Sequence, residues 1–207
     1  NPDATSVYEV RGTGNATVVN TTSLDFESAV VGGDLVATAT NGAITQDGAL
    51  KIAGTSSFTT SATDADITLS TATNDFTGEV SFTTAGISEN RGDVTVVDAS
   101  AFELDTSTIN GNLSLTANGS ITDEGLVTVT GTADLINQAG NAHTVDFTDY
   151  WHTWGDTVTL SGHHAKIASG GAIKVGNITA TLGQVVIIAK GDVTQTDTSS
   201  ITSKIDT

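Results

Sequence analysis

All four histidines of this chain, His143, His152, His163 and His164, fall within one 22-residue window. The same window holds Tyr150-Trp151-His152-Thr153-Trp154, with both tryptophans and one of the two tyrosines. Imidazoles gathered this way are the raw material of a zinc site, but such a site needs converging ligands and groups that orient them. His163 and His164 are adjacent, and on a strand adjacent side chains face opposite sides, so at most one would join a common site. Solvent-exposed histidines are therefore the expectation. The aromatic run offers different chemistry: an exposed ring pair stacks on sugar rings or forms a protein contact. Tyr150, Trp151, His152 and Trp154 are the candidate interaction patch. Within it, Trp154 aligns with Phe76 at a slip of 154 − 76 = 78 and reads as an enlarged core residue. Trp151 and Tyr150 align with Thr73 and Ala72, which gives them less reason to be buried.

Carboxylates come next. Asp64-Ala65-Asp66 and Asp123-Glu124 could collect calcium at the corners of a coiled chain, although the calcium-binding nonapeptide Gly-Gly-x-Gly-x-Asp is broken at Gly32-Gly33-Asp34 and at Gly170-Gly171-Ala172. Solvated turn acids are the simpler account. Arg91-Gly92-Asp93 spells an integrin-binding tripeptide, yet Gly-Asp also opens strands at 33–34, 155–156 and 191–192, so a recurrent turn explains it. A polysaccharide lyase would want a base beside calcium-binding acids, and the only arginines, Arg11 and Arg91, lie far apart. A glycosidase needs two carboxylates at a defined separation, which 24 acids leave open. No residue is assigned a catalytic, cofactor or metal role.

What must position these residues is a repeat. Gly33 to Thr55 and Gly111 to Thr132 share Asn-Gly, Ile-Thr and Gly-Thr pairs at a slip of 118 − 41 = 77, and Val80 and Phe82 fall on Val158 and Leu160 at 78. A weaker copy runs from Gly183 to Ile201. Leu113, Leu115 and Ala117 alternate with polar residues, as do Leu35, Ala37 and Ala39. Such alternation means strands with one face inward, and Asn-Gly, Asp-Gly and Gly-Gly turns punctuate them. Inward candidates recur too closely for an intervening helix, which excludes βαβ units. An all-β parallel solenoid with no substantial helix follows. At roughly 20 residues per coil it has about ten coils, and a length of roughly 50 Å. Residues 1–31 read as an irregular first coil or cap and 32–207 as repeats, with copies near 33–110, 111–182 and 183–207.

Composition narrows the function. Seven basic residues against 24 acidic ones give a net charge of −17, which repels phosphate backbones. There is no cysteine for disulfides or thiolate metal sites, and no apolar run long enough to span a membrane. An opening Asn1-Pro2-Asp3 without methionine reads as an excerpt of a longer polypeptide or a processed product.

Gly111-Asn112-Leu113-Ser114-Leu115-Thr116-Ala117-Asn118-Gly119-Ser120-Ile121-Thr122, with the related runs at 33–45 and 183–194 and Asn74-Asp75-Phe76-Thr77-Gly78, resembles the repeats of filamentous-haemagglutinin-type large exoproteins. The resemblance implies a right-handed parallel β-helix, secretion from Gram-negative bacteria, and adhesion or biofilm formation. The family's amino-terminal secretion domain is not among the residues that match. The expectation is an extracellular structural or adhesive rod. Its partners would be a host or neighbouring-cell surface, glycans or matrix, with head-to-tail self-association as a variant. A carbohydrate-binding or polysaccharide-degrading β-helix is the alternative.

Overall fold

A computed structural model describes residues 6–86, 91–139 and 142–204, with side chains from residue 10 onward; Asn1-Pro2-Asp3 lies outside them. The alternation seen in sequence becomes alternation of burial. Leu113–Ala117 buries Leu113, Leu115 and Ala117 and turns Ser114 and Thr116 outward. Every strand pairing is parallel, and no residue described is helical. The chain is a parallel β-solenoid of about nine turns, close to the ten expected.

The chain runs in turn along three faces. The first carries Leu24, Ile44, Ile67, Val94, Leu113, Ala133 and Val158, each paired with the next one coil on. The second carries Ile121–Asp123, Val145–Phe147, Ala165–Ser169 and Val185–Ala189 in the upper coils. Ala29–Val31, Leu50–Ile52 and Asp75–Phe76 carry it in the lower ones. The third carries Ala16, Leu35, Ser56 and Val80, then Ser107–Ile109, Val127–Val129 and Thr153–Trp154. Long strands such as Leu24–Val31 bend round a corner and pair with two short ones, so the three faces merge into sheets of 13 and 12 strands.

One hydrophobic core fills the tube from Leu24 to Ala180. Burying it removes apolar surface from water at about 25 cal/mol per Å². Phenylalanines from successive coils stack inside it, Phe58 on Phe82 at 5.8 Å and Phe82 on Phe102 at 6.5 Å between ring centres. Residues 6–31 pair in the same parallel way as the rest.

Corners are held by a second ladder. Asn15 Oδ1 accepts the Asp34 N–H at 2.9 Å, and Asp34 Oδ1 accepts the Thr55 N–H at 2.9 Å. Asp93 Oδ1 accepts the Asn112 N–H at 2.7 Å, and Asn112 Oδ1 accepts the Thr132 N–H at 2.9 Å. From Gly33 onward, the glycine before each of these residues sits against the backbone of the coil below. A Cβ on Gly111 would lie 2.6 Å from the Gly92 carbonyl oxygen, and one on Gly131 would lie 2.7 Å from that of Gly111. Only glycine permits that approach. This ladder occupies the tripeptide Arg91-Gly92-Asp93: the Asp93 carboxylate is spent on Asn112 and its own N–H donates to Asp66 Oδ1 at 2.8 Å.

Candidate functional site

The aromatic run divides between core and surface. Alternation leading into the short third-face strand Thr153–Trp154 turns His152 and Trp154 inward, 0% and 6% exposed, and Trp151 outward, 45% exposed, while Tyr150 stands in the bend before it, 41% exposed. Trp154 takes the inward slot, packs its ring 6.0 Å from Phe147, and donates its indole N–H to the Ala168 carbonyl at 2.9 Å. The Lys190 ammonium lies 4.1 Å above the Trp151 ring, a cation–π contact at the surface.

His152 is the departure from expectation: it is wholly buried, not exposed. Its Nδ1 accepts the Val127 N–H at 3.1 Å, so the ring proton sits on Nε2, which faces Asp123 Oδ2 at 3.0 Å. Asp123 is 2% exposed, so it is no solvated turn acid and no open calcium ligand. The imidazole thus bridges two coils, satisfying a backbone donor and a buried carboxylate together. An inward histidine on a strand gives no sign in sequence of whether its partner is water, metal or carboxylate.

The other histidines lie near the next corner. His163 and His164 occupy a bend, not a strand, and their rings meet edge to face at 4.5 Å. His164 Nδ1 accepts the Gln184 N–H at 2.9 Å, the role that Asn15 and Asp93 play in earlier coils. Desolvation lowers the His164 pKa from its usual range; the nearby His163 and Lys166 lower it further and Asp146 opposes them. Lys166 is itself paired with Asp146 at 2.8 Å. Among the described residues no group of three histidines or acids could hold a metal ion. Of the other acids proposed for calcium, Asp64 sits in the left-handed region at φ 63° and Asp66 is engaged by the Asp93 N–H.

A buried acid that sequence reasoning missed lies below. Asp98 is 0% exposed, accepts the Phe76 N–H at 3.2 Å and the Ser100 hydroxyl at 3.0 Å, and burial raises its pKa to about 6. Its signal was a polar residue at an inward position of the alternating strand Val94–Asp98.

Matched against known families, the chain aligns at residues 13–83 and again at 91–161 with the family described as "Repeats of unknown function (DUF5649)", together 71 + 71 = 142 of 207 residues. The chain belongs to this family. No curated protein and no solved structure matches it. The two matches start 91 − 13 = 78 positions apart, and that spacing now has a geometry. Three turns from Thr38 lead through Thr59 and Thr83 to Thr108, all on the third face. The residue 78 positions after Thr38 is Thr116, on the first face. One family repeat is therefore three turns plus one face. The first copy starts before the third face at Asn15, the second before the first face at Asp93. The same corner bond reappears before the second face at His164. Successive copies are thus rotated by a third of a turn about the tube axis.

Among the described residues no helix is long and apolar enough to cross a membrane.

Proposed function

We propose that this chain is a segment of an extracellular structural and adhesive rod without catalysis. The observation that carries the reading is the continuous coil-to-coil parallel pairing from the first described strand to Ile201–Ser203. Stacked coils with a continuous core and bonded corners make a stiff spacer, since each coil touches only its neighbours and stiffness accumulates along the axis. Nine turns at about 4.8 Å per coil give a rod about 43 Å long. The resemblance to filamentous-haemagglutinin-type repeats supports export to the surface of a Gram-negative cell and a role in attachment or biofilm. Several polar side chains buried in the tube serve backbone groups of neighbouring coils, as His152 serves Val127, Asn74 serves Leu50 and Ser107 serves Phe82.

Two measurements test this. Beads coated with the chain should be retained on cells or matrix and uncoated beads should not; equal retention sinks the adhesive part. Immunogold labelling of the source cells should decorate the surface, and purely internal label sinks the location. A polysaccharide-degrading activity is the competing reading, and release of reducing ends from glycans incubated with the chain would establish it.

A further inference from the structure

The third face carries a feature no other face has. Thr38, Thr59, Thr83, Thr108, Thr128 and Thr153 pair one to the next in six successive coils. They form a row with a repeat of about 4.8 Å, about 24 Å long. All six point outward, and within the described residues none of their hydroxyls has a hydrogen-bond partner. On the other faces the corresponding outward rows are broken by charge, by Asp25 and Asp134 on the first face and by Glu103, Asp146 and Lys166 on the second. Two residues before each threonine stands a second outward position: Val36, Ser57, Ser81, Thr106, Leu126 and Trp151. Neither row holds a charged residue, on a chain of net charge −17. The second row ends in exposed apolar groups, Leu126 at 46% and Trp151 at 45%, with Tyr150 beside them.

We propose that this stripe binds a neutral, extended, β-linked polysaccharide laid along the rod axis, anchored by stacking on Trp151, from whose ring the flexible Lys190 side chain moves aside. Three properties of the stripe select that partner. Its hydroxyls repeat at nearly the rise of one sugar unit in an extended β-linked chain, so each coil offers a donor and acceptor to each sugar. The C–H face of a pyranose packs against an indole while its hydroxyls stay at the edge, which suits a row of threonines flanking an aromatic end. The rows themselves carry no charge, and the acids that border them, Glu79, Glu103, Glu124 and Asp149, disfavour polyanions. A protein strand gains no backbone bonds here, because each strand in the stripe's middle is already paired on both sides. Ice, the other partner that matches a regular threonine row, requires a flat face, and Leu126 and Trp151 stand out from it.

The proposal rests on the adhesive reading above and names its partner class, and the experiment separates the two. Cellohexaose, laminarihexaose, chitohexaose and a uronate hexasaccharide are titrated against the full chain by calorimetry, alongside the bead assay. At least one neutral hexasaccharide should bind and the uronate should not. Trp151→Ala should weaken binding by roughly tenfold or more. Thr83→Lys with Thr108→Lys should do the same, while Thr95→Lys on the first face leaves affinity unchanged. All variants change outward-facing side chains, so an unaltered thermal transition confirms the fold. Failure of every neutral hexasaccharide to bind overturns the proposal, as does binding indifferent to both stripe variants. Inhibition of ice recrystallisation without glycan binding reassigns the row to ice and overturns it too. Bead retention that persists in either case leaves the adhesive reading standing.

Discussion

The two family repeats hold one bridge with two chemistries. In the first, Asn74 is buried and exchanges hydrogen bonds with Gln46 at 2.8 and 2.9 Å, while its Oδ1 accepts the Leu50 N–H at 2.9 Å. In the second, at a slip of 152 − 74 = 78, His152 stands for Asn74. At a slip of 123 − 46 = 77, Asp123 stands for Gln46 and Val127 for Leu50. The Val127 N–H still finds an acceptor, His152 Nδ1 at 3.1 Å. The substitution extends to two further places: Asn15 becomes Asp93, and Asn20 becomes Asp98. The backbone requires an acceptor across coils and an inward polar pair; amides, an acid or an imidazole all meet that need. What differs is that the first repeat uses amides where the second uses carboxyl groups and an imidazole. Larger rings accompany the change, Phe147 and Trp154 replacing Leu69 and Phe76 around the bridge.

The strongest way to break this comparison is His152→Ala. It strands a buried carboxylate and a backbone N–H, at a cost of about 3–5 kcal/mol. Asn74→Ala strands only neutral groups and should cost about 2–3 kcal/mol. Urea unfolding with hydrogen exchange, which locates the loss along a repeat protein, measures both. If the two cost the same, the charge on Asp123 is irrelevant to the bridge. A sharper version transplants the first repeat's pair into the second. Asp123→Gln and His152→Asn should each destabilise, and the double variant should recover at least about 1 kcal/mol relative to their sum. Additive losses would mean that the bridges are not equivalent.

Asp98 carries the acid dependence. Its folded pKa is raised to about 6, so the native state holds the proton more tightly than the unfolded chain. Its contribution is therefore present below the ordinary carboxylate range and is lost as pH rises through about 6. Asp98→Asn, which restores the residue type of Asn20, should remove a loss of about 2 kcal/mol between pH 4 and pH 6.5. A variant with the same pH slope as the parent would refute the assignment. The smallest effect belongs to His164, whose folded pKa is lowered. The neutral ring accepts from Gln184, so this contribution is present above the unfolded value and is lost as pH falls through the lowered folded one. At mildly acid pH the Gln184 amide should exchange faster than intrinsic chemistry accounts for, and His164→Asn should abolish the excess. An unchanged protection factor in the parent would count against the ring as acceptor.

Much of this molecule was visible in its residues. Alternation at Leu113–Ala117 announced a strand, and the slip of 77 or 78 announced the repeat. Trp154 against Phe76 announced a core position, where the ring is buried at 6% exposure. The bridge was half visible: the slip sets Gln46 on Asp123 and Asn74 on His152, polar on polar among inward apolar neighbours. Its partners were not visible, because they lie 28 and 29 residues apart and meet only through coiling. The adjacent His163 and His164 were misjudged because the expectation placed them on a strand, whereas they turn a corner.

The sequence by itself determined that short strands alternate inward and outward and that their order recurs. Both are properties of neighbours along the chain, set by side-chain hydrophobicity and backbone preference. Only the tertiary structure decided where each copy faces. Coils differ in length: Ile67 and its partner Val94 are 94 − 67 = 27 positions apart, but Val94 and Leu113 are 113 − 94 = 19 apart. The interval between copies therefore does not reveal how many turns it makes. Stacking against the previous coil fixes that count, and with it the rotation that carries each copy to a new face.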